Sequence, residues 1–435
     1  MDLAGALAYL DEHVNLETDT SQRAATKRLD RVARLVELMA DPQRAYPVLH
    51  LTGTNGKGST ARILTALLTA KGLSVGTYTS PHLERFNERI AWNGEPISDA
   101  AFVEIIEAVA GIEMLVPDPP TVFEILTAAA FRWFADVVVD AAVVEVGLGG
   151  RWDATNVADG QVAVVTNVSL DHAETIGPTL ADIATEKAGI VKPGSTLVLG
   201  ETDPELAAIF RAADAAETWE RGQDFACVGN RLAHGGRLLD LRTPGGSYDD
   251  VYVPVHGAHQ GDNAAVALAA AEAFFGAPLG SDVVIEALAA VRIPGRLEVV
   301  GRHPLTVLDG AHNPAGAAAA GVAIAEAFGG TSGTVLVVGL LEGRDPAEML
   351  DALGARHARV LVACPAPSPR TLPPDVVAGA GRALGLEVEA TASVPEAIAR
   401  ALALAGPEDL VLVSGSLYVV GAARAALSHP SREER

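Results

Sequence analysis

Apolar and polar positions follow a repeating order through the first part of the chain. Apolar residues at intervals of three and four predict an amphipathic helix over residues 23–40. The run "YPVLHLTG" predicts a buried strand, "KGSTARILTALLTAKG" predicts a helix that ends at Gly72, and "LSVGTYTS" predicts a second strand. A strand, a glycine-rich turn, a helix and a strand together predict a βαβ unit, whose parallel sheet presents its carboxyl ends to ligands.

The same alternation continues to residue 276. Helical and strand patterns follow one another over residues 121–135, 141–146, 162–166, 178–189 and 261–276. Within these, Thr179 and Asp182 have the spacing of a capping box, which predicts a helix start. Between residues 225 and 255, the runs "RLLDLRT" and "DDVYVPV" alternate with period two, which predicts an antiparallel hairpin beside the main sheet.

A second unit of the same type begins near residue 296. Pro294 and Gly295 form a turn signal. The strand patterns "LTVLDG", "TVLVVGL", "HARVLVAC" and "DLVLVSG" then follow, separated by alanine-rich helices. We therefore predict an α/β protein of two domains, residues 1–295 and 296–435. The first would carry a mainly parallel sheet and a small antiparallel sheet, and the second would be a smaller α/β unit.

Composition and charge remove several classes of function. The 435 residues are 49% apolar, which is enough to fill the cores of two or three domains. The formal charge of −23 disfavours a nucleic-acid partner, which needs a basic face. No signal peptide and no apolar window of about 18 residues are found, so we expect neither secretion nor a membrane span. Cys227 and Cys364 stand far apart, which predicts buried thiols in a reducing cytoplasm.

The stretch "LTGTNGKGST" carries the first candidate chemistry. A strand that enters a helix through closely spaced glycines exposes backbone N–H groups at a helix N-terminus, where an anion is favoured. Lys57 adds a positive charge and Ser59 adds a hydroxyl. The standard P-loop has four residues between its first glycine and the Gly-Lys pair, whereas this loop has only Thr54 and Asn55. A glycine-rich turn with a solvated lysine therefore stays open at this point.

Polar side chains beyond the loop include possible ligands of a cation. Glu145 ends an apolar strand, where a carboxylate facing a phosphate loop would bind a hard cation such as Mg²⁺. Backbone N–H groups would satisfy that carboxylate equally well. His172, beside Asp171, is either a metal ligand or a surface histidine. Lys187 lies within a helical pattern, where an ordinary lysine would be solvated.

Further candidates follow predicted strands or flank the domain junction. Ser80 lies at the end of the second strand, on the phosphate side of the cleft. Phe123 belongs to a residue type that is more often part of a core than a ligand contact. The remaining candidates are Asn263, Arg296, Asp309, His312, Ser414, Ser416 and Tyr418.

Taken in order, the motifs suggest a family. "TGTNGKGS", "TSPHL", "EVGLGGRWDATN", "SLDH", "EKAGIVK", "PGR", "LDGAHNP" and "SGSLY" span nearly the whole chain, from about residue 25 to residue 423. Together they closely resemble the folylpolyglutamate synthase and dihydrofolate synthase group of the Mur ligase superfamily. The resemblance implies a two-domain Mur-ligase-like fold, with an N-terminal P-loop-type ATPase domain and a C-terminal Rossmann-like domain. It also implies that the shortened loop is a nucleotide site.

The resemblance assigns roles to individual residues. Lys57 would reach the γ-phosphate, and Lys187 matches a lysine that the family carries as a carbamate, N6-carboxylysine. Mg²⁺, with two sites expected, would be held by Ser80, Glu145 and His172. The family's ATP contacts fall on Thr54, Asn55, Gly56, Lys57, Gly58, Ser59, Asn263, Arg296 and Asp309. Its contacts with the pterin and glutamate substrates fall on Phe123, Asp153, His312, Ser416 and Tyr418. Residues 111–120 are the least family-like piece that we expect to border the cleft.

The implied reaction is the ATP-dependent ligation of L-glutamate to a pterin acid through an acyl phosphate, in a cytoplasmic monomer without nucleic-acid or membrane partners. The acyl substrate would be dihydropteroate, tetrahydrofolate with its polyglutamates, or both, and we favour both. A muramyl ligase is an alternative, although a loop near residue 53 leaves no room for a UDP-binding domain before it. An ATP-driven conformational switch is a further alternative, and a binding module without turnover conflicts with keeping Lys57, Glu145 and His172 together.

Overall fold

Three β-sheets with helices packed around them make up the architecture. The computed structural model describes residues 1–19 and 27–428. The helices are α1 Leu3–Asp11, α2 Asp30–Leu38, α3 Lys57–Ala70, α4 Asp99–Glu113, α5 Val122–Asp136, α6 Ala173–Ile176, α7 Leu180–Ala188, α8 Pro204–Arg211, α9 His259–Phe275, α10 Ser281–Ala290, α11 Pro314–Phe328, α12 Pro346–Ala352, α13 Pro374–Ala383, α14 Val394–Leu404 and α15 Leu417–Ser428. The strands are β1 Val48–Thr52, β2 Val75–Tyr78, β3 Ile90–Trp92, β4 Glu95–Pro96, β5 Ala141–Glu145, β6 Gly160–Val165, β7 Thr196–Leu199, β8 Glu217–Glu220, β9 Ala226–Ala233, β10 Gly236–Thr243, β11 Gly246–Val253, β12 Glu298–Arg302, β13 Leu305–Leu308, β14 Thr334–Val338, β15 Val360–Ala363, β16 Glu387–Ala390 and β17 Leu410–Ser414. Short 3₁₀ helices cover Pro42–Arg44, Phe86–Arg89, Ala154–Val157 and Ala355–His357.

The largest sheet determines where ligands can bind. Its strands lie in the order β4-β3-β2-β5-β1-β6-β7-β8, and those from β2 to β8 in this order run parallel, while β3 and β4 form an antiparallel edge. Since β1 lies between β5 and β6, the carboxyl ends of these three strands meet at one edge. Parallel sheets bind their ligands at this edge.

Both faces of the large sheet are covered by helices. On one face α3, α9 and α10 form a core with Leu49 and Leu51 of β1. On the other face α1, α2, α4 and α5 form a core with Val48. A parallel strand that is buried on both faces carries a nearly continuous apolar run, which is why the sequence pattern predicts β1 correctly.

A separate antiparallel sheet lies over one side of α9. The sequence predicted a two-stranded hairpin beside the main sheet, but β9, β10 and β11 form a three-stranded sheet of their own in the order β11-β10-β9. The apolar side chains of β10 and β11, such as Leu239 and Val251, enter the core under α9 and α10. The missing strand was β9, whose mixed sequence "ACVGNRLA" has no fully buried position and lacks a regular alternation.

The C-terminal part of the chain forms a six-stranded sheet. Its order is β12-β13-β17-β14-β15-β16, with β12 antiparallel at one edge and the other strands parallel. Helices cover both faces and bury the valine-rich strands that the sequence predicted. The proposed domain boundary after residue 295 falls between α10 and β12, and it stays a prediction.

Two sequence predictions need correction in detail. The helix predicted over residues 23–40 is α2, which begins only at Asp30; residues 27–29 are not helical, and the predicted start at residues 23–26 lies outside the described residues. Cys364 is buried as predicted, whereas Cys227 is only partly buried, because it lies on the exposed strand β9. Among the described helices, none combines the length and apolarity that crossing a bilayer requires.

Candidate active site

The glycine loop joins β1 to α3 at the carboxyl edge of the large sheet. Gly56 precedes α3 with a φ of 82°, a left-handed conformation that favours glycine. A Cβ atom there would also collide with the side-chain oxygen of Asn263. The segment after β6 supports the loop, since Asn167 accepts the Asn55 N–H at 3.0 Å and its carbonyl accepts the Thr54 N–H at 2.9 Å. The loop is therefore held in one shape, with helix N–H groups turned toward the cleft.

Two lysines meet at the carbonyl of Gly53. The Lys57 Nζ donates to the Gly53 oxygen at 3.0 Å and to the Thr54 oxygen at 3.3 Å. The Lys187 Nζ donates to the same Gly53 oxygen at 2.8 Å. Lys187 is 3% exposed, and its burial, together with the charge of Lys57, lowers its pKa from 10.5 to about 7. It is thus not the solvated helix lysine that the pattern left open, because α7 turns it inward.

Glu145 brings a buried carboxylate to the same place. It ends β5 and accepts the Ser80 N–H at 3.2 Å. Burial raises the pKa of Glu145, while the charges of Lys57, Arg296 and Arg62 oppose that rise. Its Oε2 lies 3.5 Å from the position that a Cβ of Gly58 would take, so the carboxylate lies against the first turn of α3.

His172 lies beside a charged cluster that joins distant parts of the chain. Its neighbour Asp171 accepts hydrogen bonds from Asn313 Nδ2 at 3.1 Å and from Arg344 Nη2 at 2.7 Å. Burial of Asp171 raises its pKa, but the positive charges of His172, Arg344 and His312 outweigh burial and hold the pKa well below its usual value. Asn313 Nδ2 also donates to Asn55 Oδ1 at 3.0 Å. The C-terminal sheet therefore contacts the glycine loop directly.

Two cavities meet at this edge. The loop cavity has a volume of about 400 Å³ and is lined by the glycine loop, Glu145, Lys187 and the start of α9. The outer cavity has a volume of about 270 Å³ and is lined by the start of α5, by the 147–154 turn and by residues that follow strands of the C-terminal sheet. Both cavities are lined by Ser80, Pro81, Gly147, Leu148, Gly149, His172, Ile176, His312 and Leu417.

The structure gathers the predicted site residues into these two cavities. The loop cavity receives Thr54, Asn55, Gly56, Lys57, Gly58, Ser59, Ser80, Glu145, His172, Lys187, Asn263, Arg296, Asp309 and His312. The outer cavity receives Ser80, Phe123, Asp153, His172, His312, Ser416 and Tyr418. The roles given to these residues stay predictions. Residues 111–120, which we expected to border the cleft, line neither cavity.

Phe123 is both a core residue and a residue of the cavity wall, the two alternatives that the sequence left open. It packs against the core under α5, with its ring centroid 5.9 Å from that of Tyr78, and it also lines the outer cavity. A Cβ on Gly147 would lie only 2.6 Å from the Phe123 ring. The absence of a side chain at Gly147 therefore lets the ring reach the wall between the cavities.

Several residues of the outer cavity were missed by the sequence reasoning. Arg89 is buried, forms two hydrogen bonds with the Glu17 carboxylate at 2.8 and 2.7 Å, and donates through Nε to His82 Nδ1 at 2.9 Å. Arg370 donates to the Glu17 carbonyl at 3.2 Å. Arg344 reaches Asp171 across 173 residues of sequence. No local pattern could have indicated such partners, because each pair is formed only by the tertiary fold.

The donors at the junction of the cavities suit a cation that a nucleotide brings with it. The described residues contain no cluster of three or more His, Cys, Asp or Glu side chains arranged to hold a metal ion. Ser80 and Glu145 instead supply a hydroxyl and a carboxylate close to the glycine loop. Mg²⁺ commonly binds through one or two protein oxygens and completes its coordination with phosphate and water. The carboxylate of Glu145 has the buried, incompletely paired character that such an ion would satisfy.

Comparisons with known proteins agree with this geometry. The Mur ligase middle domain model matches residues 51–271, and the model of the Mur ligase, glutamate ligase domain matches residues 295–417. The dihydrofolate synthase/folylpolyglutamate synthase of Mycobacterium tuberculosis is 39% identical over 91% of this chain and 89% of that protein. The folylpolyglutamate synthase of Lacticaseibacillus casei is 37% identical over 91% of this chain and 94% of its own length.

Solved structures show the same similarity over nearly the whole chain. Mycobacterium tuberculosis folylpolyglutamate synthase complexed with ADP and AMPPCP aligns with a TM-score of 0.90 at 38% identity, covering 98% of both chains. E. coli FolC in complex with DHPP and ADP aligns with a TM-score of 0.85 at 30% identity, again over 98% of both chains.

Proposed function

The chain belongs to the dihydrofolate synthase/folylpolyglutamate synthase family of Mur ligases, and from this premise we propose how its own residues add L-glutamate to a pterin acid with ATP. It is a ligase that forms a carbon–nitrogen bond. The observation that carries the proposal is the wall that the two cavities share at Ser80, Gly147, His172 and His312. A triphosphate in the loop cavity and an acid in the outer cavity would meet at this wall.

The loop cavity is the proposed ATP site. The N–H groups at the start of α3 and the ammonium of Lys57 would bind the phosphates. Lys57 now donates to carbonyls of its own loop, and these contacts are weak enough to be exchanged for a γ-phosphate oxygen. Asn263, Arg296 and Asp309 also line this cavity, and they would contact the nucleotide there.

The residues that would hold Mg²⁺ are Ser80, Glu145 and His172. Bound there, the ion would offset the repulsion between a carboxylate and a triphosphate and polarise the γ-phosphoryl group. Lys187 supports a further part of this proposal. A buried amine whose pKa is about 7 is partly neutral at pH 7, and only a neutral amine reacts with CO₂ to form a carbamate. The carbamate would replace a cation by an anion beside the phosphate loop.

The outer cavity is the proposed site of the pterin acid and of glutamate. Phe123 supplies an aromatic face and Asp153 supplies a buried carboxylate that accepts N–H donors such as those on a pterin. The acid carboxylate would attack the γ-phosphate and give an acyl phosphate and ADP. The amine of L-glutamate then attacks the acyl carbon, phosphate leaves, and an amide forms. His312, Ser416 and Tyr418 line the side from which glutamate would approach.

An acyl phosphate must be kept from water, and the contacts of the C-terminal sheet serve this purpose. Asn313 bonds to Asn55 and Asp171, and Arg344 bonds to Asp171, so the sheet closes against the glycine loop. We propose that both dihydropteroate and tetrahydrofolate are accepted and that the enzyme acts as a monomer.

Substrate identity is tested directly by product analysis. Purified protein with ATP, Mg²⁺ and L-glutamate is offered dihydropteroate or tetrahydrofolate, and the products are measured by mass spectrometry. We expect addition of glutamate to each acid and phosphate release that requires both the acid and glutamate. Phosphate release that requires neither the acid nor glutamate would instead favour an ATP-driven switch.

Lys57→Ala tests the loop cavity. Loss of the charge at the γ-phosphate should lower kcat by roughly 10²-fold or more. Lys71→Ala, an exposed lysine just past the end of the same helix, is the matched control and should retain activity. An active Lys57→Ala enzyme would remove this lysine from the mechanism.

His172→Ala tests the metal assignment. The variant should need more Mg²⁺ for half-maximal activity, because one ligand is lost. A titration of activity with MgCl₂ measures this requirement. An unchanged Mg²⁺ requirement would show that His172 does not hold the ion.

A further inference from the structure

A buried histidine behind the site has no part in the mechanism above. His50 is the third residue of β1, two residues before Thr52, and its side chain is fully buried. It lies on the same face of the strand as Val48, since side chains alternate along a strand. Ordinary packing would place an aliphatic residue there, as at Val48, Leu49 and Leu51 of β1. A histidine at such a position is costly unless its polar atoms have partners.

His50 is joined to Asp153 through one intervening hydroxyl. The His50 Nε2 lies 2.8 Å from Thr155 Oγ1, and Thr155 Oγ1 donates to Asp153 Oδ1 at 2.5 Å. Thr155 is fully buried and Asp153 is 6% exposed. Only Asp153 lines the outer cavity; Thr155 and His50 stand behind it. The three side chains therefore form a line from the centre of β1 to the surface of the cavity.

The direction of these hydrogen bonds follows from the donors around Asp153. The Thr155 N–H donates to Asp153 Oδ1 at 3.0 Å and the Leu148 N–H donates to Asp153 Oδ2 at 2.9 Å. Burial raises the pKa of the Asp153 carboxyl, while these two N–H donors, the Thr155 hydroxyl and the Gly147 N–H oppose that rise and favour the ionised form, which only accepts hydrogen bonds. The Thr155 hydroxyl then donates its one hydrogen bond to Asp153 and accepts a hydrogen bond from His50 Nε2.

The same conclusion follows from the other ring nitrogen of His50. Its Nδ1 is buried without a hydrogen-bond partner in the structure. A proton on Nδ1 would leave a buried donor unpaired, which costs more than an unpaired acceptor. Burial, with the nearby charge of Lys192, lowers the pKa of His50 to about 3, so the ring is neutral. The neutral ring with its proton on Nε2 is the form that fits.

Asp153 shapes the wall that both cavities share. Through Leu148 it holds the turn that contains Gly147 and Gly149, and Thr52 of β1 donates to the Gly149 carbonyl at 2.7 Å. β1 thus supports this turn at two points, directly through Thr52 and indirectly through His50 and Thr155. The orientation of the Asp153 carboxylate depends on the second of these supports.

We propose that His50 is a positioning residue for the acid substrate: through Thr155 it holds the Asp153 carboxylate in the orientation that meets the pterin ring. The proposal rests on the assignment of the outer cavity to the pterin acid. It goes beyond that assignment by placing a determinant of pterin affinity on the strand that leads into the phosphate loop. A chain without this relay would still bind ATP.

The test uses two pairs of variants in the full-length protein. Thr155→Val removes the hydroxyl at nearly constant volume, and Thr155→Ser retains it. His50→Phe removes the donor, and His50→Gln restores an N–H donor at a similar reach. Thr65→Val is the matched control, because Thr65 is a buried threonine that bonds to Thr77 Oγ1 at 2.7 Å, away from both cavities. Each protein is assayed for KM of dihydropteroate, KM of ATP and kcat, for the Kd of pteroate by calorimetry, and for Tm.

Thr155→Val and His50→Phe should raise the KM of dihydropteroate and the Kd of pteroate by about tenfold, the effect of one hydrogen bond to a charged group. The KM of ATP should change less than about twofold. Thr155→Ser and His50→Gln should recover most of the pterin affinity. Thr65→Val should lower Tm without changing the KM of dihydropteroate.

The outcomes separate this inference from the proposed function. If Thr155→Val and His50→Phe lower only Tm, as Thr65→Val does, His50 is a structural residue and the inference is wrong. If His50→Phe does not fold, the Thr155 pair decides the question in the same way. If the wild-type protein neither binds pteroate nor uses dihydropteroate or tetrahydrofolate, the proposed function itself fails, and the inference fails with it.

Discussion

At the scale of single residues, Lys187 shows how burial changes the chemistry of a side chain. It lies on α7 with its amine at the Gly53 carbonyl, close to Lys57. Removal from water and a neighbouring positive charge both disfavour its protonated form. The fold thus maintains a partly neutral lysine next to the glycine loop, and this burial lowers the stability of the folded protein.

The loss of stability caused by the buried Lys187 amine predicts how Lys187→Met changes the free energy of unfolding. The folded pKa is about 7, against 10.5 when solvated, so the unfolded chain binds more protons between these values and the free energy of unfolding rises with pH across that window. Below pH 7 the destabilisation is fully present. Lys187→Met should therefore raise the free energy of unfolding at pH 7 by roughly 1–3 kcal/mol, and it should lose ligase activity.

Urea unfolding of the unmodified proteins in CO₂-free buffer at pH 7 and pH 9.5 measures the effect. The gain over wild type should shrink at the higher pH. Lys71→Met, which alters an exposed lysine, serves as the control and should show no such pH dependence. If Lys187→Met is less stable than the wild-type protein at pH 7, burial does not destabilise the Lys187 ammonium as we infer.

At the scale of elements, α7 begins at a capping box whose two partners are only three residues apart. The Thr179 Oγ1 accepts the Asp182 N–H at 3.1 Å, and Asp182 Oδ2 accepts the Thr179 N–H at 3.1 Å. This is the capping box that the spacing predicted. The signal can be read from sequence because both partners lie within one turn.

Thr179→Ala should destabilise the protein by about 1 kcal/mol, the usual effect of losing an N-cap. Thermal unfolding should show a lower Tm. Thr185→Ala, in the same helix, removes only a bond from a hydroxyl to the Ala181 carbonyl and should shift Tm much less. Equal shifts for the two variants would show that the cap adds nothing to the stability of α7.

At the scale of the whole molecule, side chains from distant parts of the chain hold the sheets together. Arg237 of β10 is 1% exposed, and its guanidinium donates to the two Glu326 oxygens of α11 at 2.8 and 3.1 Å. This pair joins the three-stranded sheet to the C-terminal sheet. At the other end of α11, Asn313 contacts Asp171, and so does Arg344.

Glu326→Ala leaves the buried guanidinium of Arg237 without its carboxylate. Because Glu326 is itself about a third exposed, we expect a loss of roughly 2–3 kcal/mol, at or below the usual range for a broken buried pair. Urea denaturation provides the measurement. Glu389→Ala breaks the exposed Arg400–Glu389 pair within the C-terminal sheet and should hardly move the midpoint. A small effect of Glu326→Ala would mean that water solvates Arg237 once its partner is removed.

The sequence by itself determined the elements whose causes are local. Apolar runs predicted the buried parallel strands, glycine spacing predicted the loop between β1 and α3, and the Thr179 cap predicted the start of α7. Motif order was enough to indicate the family and the residues that gather around the glycine loop. The strand β9 was not predicted because its sequence has no regular alternation of apolar and polar residues.

Only the tertiary structure decided which side chains are buried together. The lowered pKa of Lys187, the Asp171 cluster and the relay from His50 to Asp153 depend on partners that lie far apart in sequence. Burial and hydrogen bonding are properties of spatial neighbours, and a linear pattern of polarity contains no information on which neighbours will meet. The sequence therefore named the candidate site residues, and the fold determined their burial, their hydrogen bonds and their positions relative to one another.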